Sequence, residues 1–269
     1  MKIISKKSDL FKFVNNEKKL GFVPTMGALH KGHISLIKKS IFQCNKTIVS
    51  IFINKPQFNR KNDFKSYPRI LKKDISQLKK LKVDYLYIPT SKQIYPFGPN
   101  NKIKISSFAN KLCGKFRPGY FKAVTDVVER FIKLIKPKKI FFGEKDMQQL
   151  KIIQNFLQKK YKNIEVIPCK TIREKNGVAS SSRNFLLSQK QMKIASKVYK
   201  ILFYKKKKLI KQKVMVKKIE KKILNLGVKK IDYIEILNIN RLIKPFSKKN
   251  NYRIFIAYYL GNTRLIDNI

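Results

Sequence analysis

Strand-like and helix-like stretches alternate along the first two-thirds of this chain, and that alternation constrains the fold more than any other feature. Leu20–Val23 and Lys46–Ile53 (KTIVSIFI) are runs rich in β-branched and aromatic residues. Between them Ile34, Leu36, Ile37, Ile41 and Phe42 recur at helical spacing. A strand, a helix and a second strand in that order imply a parallel pair. The unit recurs. DISQLKKLK reads as a helix and VDYLYIP as a strand; Phe121–Ile135 is followed by KKIFFG, and Met147–Lys159 by NIEVIP. Repeated alternation predicts an α/β fold with a doubly wound parallel sheet. After the loop Lys170–Arg183 the texture changes. Two Lys-rich helices, Ser188–Tyr204 and Val214–Leu226, precede the strand-like runs IDYIEIL, YRIFIAYYL and TRLID. This predicts a parallel-sheet domain over 1–170 and a smaller C-terminal α+β domain over 171–269. No repeat and no Pro/Ser/Gly-rich linker separates them, so the two are expected to touch.

A chain of 269 residues is long enough to bury roughly 70–75% of its unfolded surface without disulfide staples. Cys44, Cys113 and Cys169 are odd in number and form no CxxC, which suits a reducing compartment. The N-terminal MKIISKKSDLFKF lacks a signal peptide's apolar centre, and no apolar run approaches the roughly 20 residues that span a bilayer. The expected location is cytoplasmic, with no membrane partner. The formal net charge of +48 invites a nucleic-acid reading. Yet of 63 Lys and Arg only nine are Arg, the residue that phosphate and base readers favour. Lys, Ile and Asn are abundant and Trp is absent, as A/T-rich codon usage produces. The charge predicts weak, salt-sensitive binding to polyanions and no specific nucleic-acid partner.

Both histidines of the chain lie in GFVPTMGALHKGH, Gly21 to His33. The stretch sits where a strand turns into a helix. At the carboxyl edge of a parallel sheet a helix N-terminus presents free N–H groups to the binding crevice. His30 and His33, three apart, share one face. Gly32 between them permits close approach to the backbone. A pair of imidazole donors there suits a triphosphate attacked at its α-phosphorus; the i, i+3 spacing and the lack of a neighbouring carboxylate cluster weaken a metal-pair reading. Gly143-Glu144-Lys145-Asp146 also follows a strand and opens a helix. It is either a turn with a cap or a second piece of the same site, with Lys145 a mobile point cation and Asp146 a ribose partner or cap. Ser180-Ser181-Ser182-Arg183-Asn184 is either a polar loop or a phosphate clamp. Asn54, Gln57 and Gln149 offer uncharged amides that can both donate to and accept from hydroxyl groups.

Taken together, PTMGALHKGH (24–33), VSIFINKPQF (49–58), YPR (67–69), RPGYF (117–121), FFGEKDMQQL (141–150), SSSRN (180–184) and LGNTRLIDNI (260–269) resemble the pantoate–β-alanine ligase family. HxGH alone points only to the nucleotidyltransferase superfamily, the HIGH-motif group that includes class I aminoacyl-tRNA synthetases. The resemblance implies a Rossmann-like nucleotide-binding domain, with the smaller domain closing over the ATP site. It implies AMP-forming condensation of (R)-pantoate with β-alanine through a pantoyl-adenylate, using ATP and Mg²⁺, and a homodimer. By position, Met26, Gly27, Ala28, Leu29, His30, Lys31, Gly32 and His33 would contact ATP, with His33 as proton donor. Gly143, Glu144, Lys145, Asp146, Ile172, Ser180, Ser181, Ser182 and Arg183 would complete the ATP site. His30, His33, Lys145 and Arg183 are the catalytic candidates. Pro24, Met26, Gln57, Gln149, Val127 and Val128 would hold pantoate, and Gln57 also β-alanine. No metal ligand is assigned.

Four positions depart from the family's pattern: Tyr120 for His, Ala123 for Gly, Lys55-Pro56 ahead of Gln57, and Ser180 for an apolar residue. None removes a residue assigned to chemistry. The rival readings are a relative that adenylates another acid or transfers a nucleotide to a phosphate ester, and a nucleic-acid-binding protein. Paired amides argue against a phosphate ester, which calls for cations.

Overall fold

The computed structural model describes residues 1–15, 17–100, 102–211, 215–239 and 251–269. Six strands, β1 (Lys2–Ile4), β2 (Leu20–Thr25), β3 (Lys46–Ile51), β4 (Tyr85–Tyr87), β5 (Lys139–Gly143) and β6 (Glu165–Cys169), form one sheet in the order β1-β4-β3-β2-β5-β6. Every neighbouring pair in it is parallel. The accompanying helices are α1 (Lys7–Val14), α2 (Lys31–Gln43), α3 (Lys61–Lys65), α4 (Leu71–Lys80), α5 (Ser91–Ile94), α6 (Cys113–Phe116), α7 (Tyr120–Ile135) and α8 (Met147–Lys160).

The strands are apolar on both faces because both faces are covered. Phe22, Ile48, Tyr87 and Ile140 share a core with α1, α7 and α8, including Leu10, Phe131, Ile135 and Ile153. Their strand neighbours Val23, Val49, Leu86 and Phe141 point the other way, onto Leu36 and Ile37 of α2 and Leu78 of α4. The chain winds from β2 through β3 to β4 on one flank, and through β5 to β6 on the other. The winding therefore reverses at the β2–β5 pair. The carboxyl ends of those two strands, Thr25 and Gly143, border the crevice in which open α/β sheets bind ligands.

The remaining elements are α9 (Gln189–Lys211), α10 (Met215–Leu224) and an antiparallel sheet of β7 (Lys230–Asn238), β8 (Tyr252–Leu260) and β9 (Thr263–Asn268) in that order. They enclose their own core around Leu202, Leu209, Ile223, Ile254 and Ile256. The two sheets touch: β9 packs on the Glu144–Asp146 turn.

Several expected boundaries move. The strand after α2 ends at Ile51; beyond it Phe52 and Asn54 line the crevice, and Ile53 between them faces the other side. VDYLYIP contributes only Tyr85–Tyr87 to the sheet. MKII and KKSDLFKF form β1 and α1, which strand and helix patterning alone does not announce in so short a stretch. The Lys205–Lys208 run continues α9 to Lys211 as a largely exposed face, as suits a strong helix former. The second Lys-rich helix begins at Met215; Val214 of the expected span lies outside the described residues.

Candidate active site

The turn that leaves β2 is built by two consecutive residues in the left-handed region, Gly27 (φ 76°) and Ala28 (φ 49°). A side chain is disfavoured there, and at Ala28 the strain is held by what the turn achieves. It aims the N–H groups of Ala28 and Leu29 at the carboxylate of Asp74, one to each oxygen, both at 2.8 Å. Asp74 comes from α4 and is 1% exposed. Burial holds its carboxyl above the ordinary range, against the pull of those two amides. Thr25 fixes the start of the turn: its hydroxyl donates to the Ser50 carbonyl (2.7 Å) and accepts from the Gly27 N–H (3.1 Å).

His30 caps α2. Its Nδ1 accepts from the Gly32 N–H at 3.1 Å, so Nε2 carries the proton of the neutral ring. The reason for Gly32 is this ring: a Cβ at Gly32 would sit 2.8 Å from His30 Cε1. The space expected for a ligand is filled by the imidazole itself. The two imidazoles lie 4.0 Å apart between centroids. Burial lowers the His30 pKa to about 2, helped by His33 and Lys145. Burial lowers that of His33 to about 4; Asp146 opposes and Lys145 assists. Both rings are neutral donors at pH 7. The positive charge lining the cleft therefore comes from Lys145, Lys170 and Arg183.

A cleft of about 220 Å³ opens over this edge. It brings together most of the expected residues: Pro24, Met26, His30, Gly32, His33, Gln57, Val127, Val128, Gly143, Lys145, Asp146, Gln149, Ile172 and Ser180 to Arg183. Five others do not line it. The N–H groups of Ala28 and Leu29 are taken by Asp74, and Gly27 lies on the same far side of the turn. Lys31 pairs with Glu174 at 2.6 Å, and Glu144 with Arg253 at 2.8 Å. Asp146 precedes α8 without a side-chain cap bond, so it is free of the capping role.

The Ser-rich loop is largely bonded within the protein. Ser180 Oγ donates to Glu174 (2.5 Å), Ser182 Oγ donates to the Ala28 carbonyl (3.0 Å), and Ser181 accepts from the Arg183 N–H (3.3 Å). The Arg183 guanidinium rests on Asp63 of α3 at 3.0 Å. The amides form a second set. Asn54 donates to Gln57 Oε1 (3.1 Å) and accepts from the Tyr95 hydroxyl (2.7 Å). Gln57 Nε2 reaches Met26 Sδ at 2.9 Å. Arg117 stacks over the Tyr120 ring at 3.6 Å and donates to the Gln57 carbonyl, and the Tyr120 hydroxyl lies 3.4 Å from Gln149 Oε1.

Sequence reasoning does not find Asp74, Asp63 or Glu174, whose roles depend on contacts across the fold. Tyr67 lines the cleft and is 6% exposed; its place within YPR was the available signal. Phe52 and Phe131 line the apolar wall beside Val127 and Val128.

Two neutral imidazoles, a lysine and an arginine converge at the switch point of a parallel sheet, next to paired amides and an apolar wall. Fold and site define a nucleotide-binding α/β enzyme suited to activating a small hydroxylated acid. Residues 2–269 match the family model described as pantoate-beta-alanine ligase, and the chain belongs to that family. It is 41% identical over 258 residues to a pantothenate synthetase of Sulfurihydrogenibium sp., covering 94% of this chain and 92% of that one. It is 39% identical to the pantothenate synthetase of Ruthia magnifica, covering 100% and 98%. Among solved structures, the Francisella tularensis pantoate-beta-alanine ligase, described as complexed with beta-gamma ATP and beta-alanine, superposes with TM-score 0.86 at 39% identity, covering 100% of this chain and 97% of that one. Thermus thermophilus pantothenate synthetase superposes with TM-score 0.89 at 30% identity, covering 100% and 99%.

Proposed function

We propose that this chain condenses (R)-pantoate with β-alanine at the cleft between β2 and β5, in two steps that share one set of cations. The observation that carries the reading is the joint placement of His30, His33, Lys145, Gln57 and Gln149 on one cleft. Pantoate's carboxylate oxygen attacks the α-phosphorus of ATP. A bond forms from that oxygen to phosphorus, the bond to the bridging oxygen breaks, and diphosphate leaves with the electron pair. Lys145, Arg183 and the neutral N–H groups of the two histidines face the oxygens on which charge grows. Catalysis is then positioning with preorganised electrostatics. In the second step the β-alanine nitrogen attacks the mixed anhydride, AMP departs from the acyl carbon, and the ammonium proton is released.

Gln57 and Gln149 read pantoate's hydroxyls and carboxylate, and Val127 and Val128 pack against its methyl groups. Gln57 also lies beside the incoming amine. Arg183 lines the cleft while paired with Asp63, so the triphosphate would share or replace that carboxylate. Mg²⁺ fits this cleft as a companion of the nucleotide: the Asp146 carboxylate lines it, makes no capping bond and, among the described residues, pairs only with Lys145, at 3.8 Å, and Mg²⁺ commonly uses one or two carboxylates beside phosphate oxygens and water. When bound, the ion neutralises phosphate charge. Among the described residues no three His, Cys, Asp or Glu side chains gather to hold it on protein ligands alone.

We read residues 1–170 and 171–269 as two domains, the second covering the ATP site, and the protein as a cytoplasmic homodimer. The break between the parallel and antiparallel sheets supports the division. Among the described residues no helix is long and apolar enough to cross a membrane. Isotope exchange between diphosphate and ATP tests the chemistry: it should require pantoate and proceed without β-alanine. Exchange that needs β-alanine would exclude a free-standing adenylation step, and exchange with other acids at equal rate would favour the broader adenylating relative.

A further inference from the structure

The last strand delivers one buried side chain to the catalytic edge of the other sheet. Asn268 ends β9 and is 3% exposed. Its Nδ2 donates to the carbonyl of Glu144 and to that of Lys145, each at 2.8 Å. Its Oδ1 accepts from Arg253 at 2.7 Å, and the other Arg253 nitrogen donates to the Glu144 carboxylate at 2.8 Å. Carbonyls only accept and a guanidinium only donates, so the amide satisfies its neighbours in one orientation. The strand end is itself pinned, because Arg173 donates to the Asp267 carboxylate (2.7 Å) and to the Asn268 carbonyl (3.1 Å).

Glu144–Asp146 is a three-residue 3-10 turn, and Lys145 enters the cleft from its middle. A turn this short has few internal bonds to fix its direction. Two of its carbonyls are held by a side chain from a distant strand. We infer that Asn268 is the positioning residue for Lys145: by gripping the carbonyls of Glu144 and Lys145 it sets the direction from which the ammonium enters the cleft. This rests on Lys145 acting on the phosphates, as proposed above. A point cation works only at the right distance, and a displacement near 1 Å can cost on the order of 10²-fold in rate.

Asn268→Asp separates this role from packing. The substitution keeps the size and the acceptor for Arg253, removes both N–H donors, and sets an anion against two carbonyl oxygens. Pantoate-dependent diphosphate release should fall on the order of 10²-fold relative to wild type at pH 7.5. The ratio to wild type, taken at each pH, should recover as pH falls, because protonation of the introduced carboxylate restores one O–H donor. Asn268→Ala should show a comparable loss with no recovery, and it supplies the test if the Asp variant does not fold. Thermal unfolding of both variants is followed in parallel. Both variants within threefold of an active wild type would overturn the inference. So would a pH-independent loss in Asn268→Asp that merely tracks a lowered Tm. A wild-type chain that releases no diphosphate with ATP and pantoate would overturn the functional reading and this inference with it.

Discussion

The imidazole of His30 lies 4.0 Å from that of His33, tilted by 37°, and neither ring carries a proton charge at neutral pH. This has a direct consequence for acid stability. The unfolded chain takes up protons on both rings near pH 6.5. The folded chain resists until about pH 4 at His33 and about pH 2 at His30. Between those limits the unfolded state binds more protons, so stability falls as pH drops below about 6.5. From pH 7.5 to 5 the wild type should lose up to about 4 kcal/mol more than His30→Gln/His33→Gln, about 2 kcal/mol from each ring. Urea unfolding at the two pH values measures it. Equal losses would mean that the native rings protonate as freely as the unfolded ones.

Lys145→Ala and His33→Ala should each lower diphosphate release by about 10²–10³-fold, the scale of one lost transition-state donor. Circular dichroism should remain native-like. Near-normal release in both would place the chemistry elsewhere.

Gln149→Ala should raise the apparent KM for pantoate on the order of tenfold, from about 1–2 kcal/mol of lost hydrogen bonding, with the KM for ATP moving far less. Tyr120→Phe should be mild. Its hydroxyl is 3.4 Å from Gln149 Oε1, a long bond, while its ring keeps its stack with Arg117. The expected cost is at most about 0.5–1.5 kcal/mol, confined to pantoate. Burial raises the phenol's pKa, so it does not act as a base near neutrality. A 10³-fold drop in turnover for Tyr120→Phe, the scale of a lost catalytic donor, would make the hydroxyl part of the chemistry.

Asp74→Asn should destabilise the fold by about 1–3 kcal/mol and weaken nucleotide binding together. One of the two N–H groups now received by Asp74 would face an amide N–H₂ instead. The readouts are Tm and the KM for ATP. A variant with unchanged Tm would show that the turn after Thr25 stands without its carboxylate.

The parallel sheet is legible in the sequence because each buried strand is a short apolar run and each helix between them repeats at 3.6 residues. HxGH and GEKD are legible because they punctuate strand ends, where ligand chemistry concentrates; SSSRN lies in a loop well past β6 and stands out only beside the other motifs. The opposite edge is harder to read. β1 is three residues long and owes its existence to pairing with β4. Long-range partners leave no local trace: Asp74 is an ordinary charge in the first turn of α4, yet it closes the turn at Ala28, 46 positions upstream. Gly32 shows the same limit. A glycine is visible, but not that its missing Cβ accommodates the ring of His30.

The two-faced packing of β2 also decides which mutations of length this enzyme can survive. Phe22 belongs to the core beneath α7 and Val23 to the core beneath α2. Deleting or adding one residue within the strand would exchange those faces, sending each side chain to the wrong core. It would also shift Thr25 against Ser50, the bond on which the turn to His30 begins. Indels in β2 should therefore be lethal to the fold and the site at once. Phe97 is 99% exposed, yet its neighbours are not free: Arg130 donates to the Gly98 carbonyl and the Asn100 N–H donates to Asp126, so an insertion there is tolerated only where it leaves those two bonds in place.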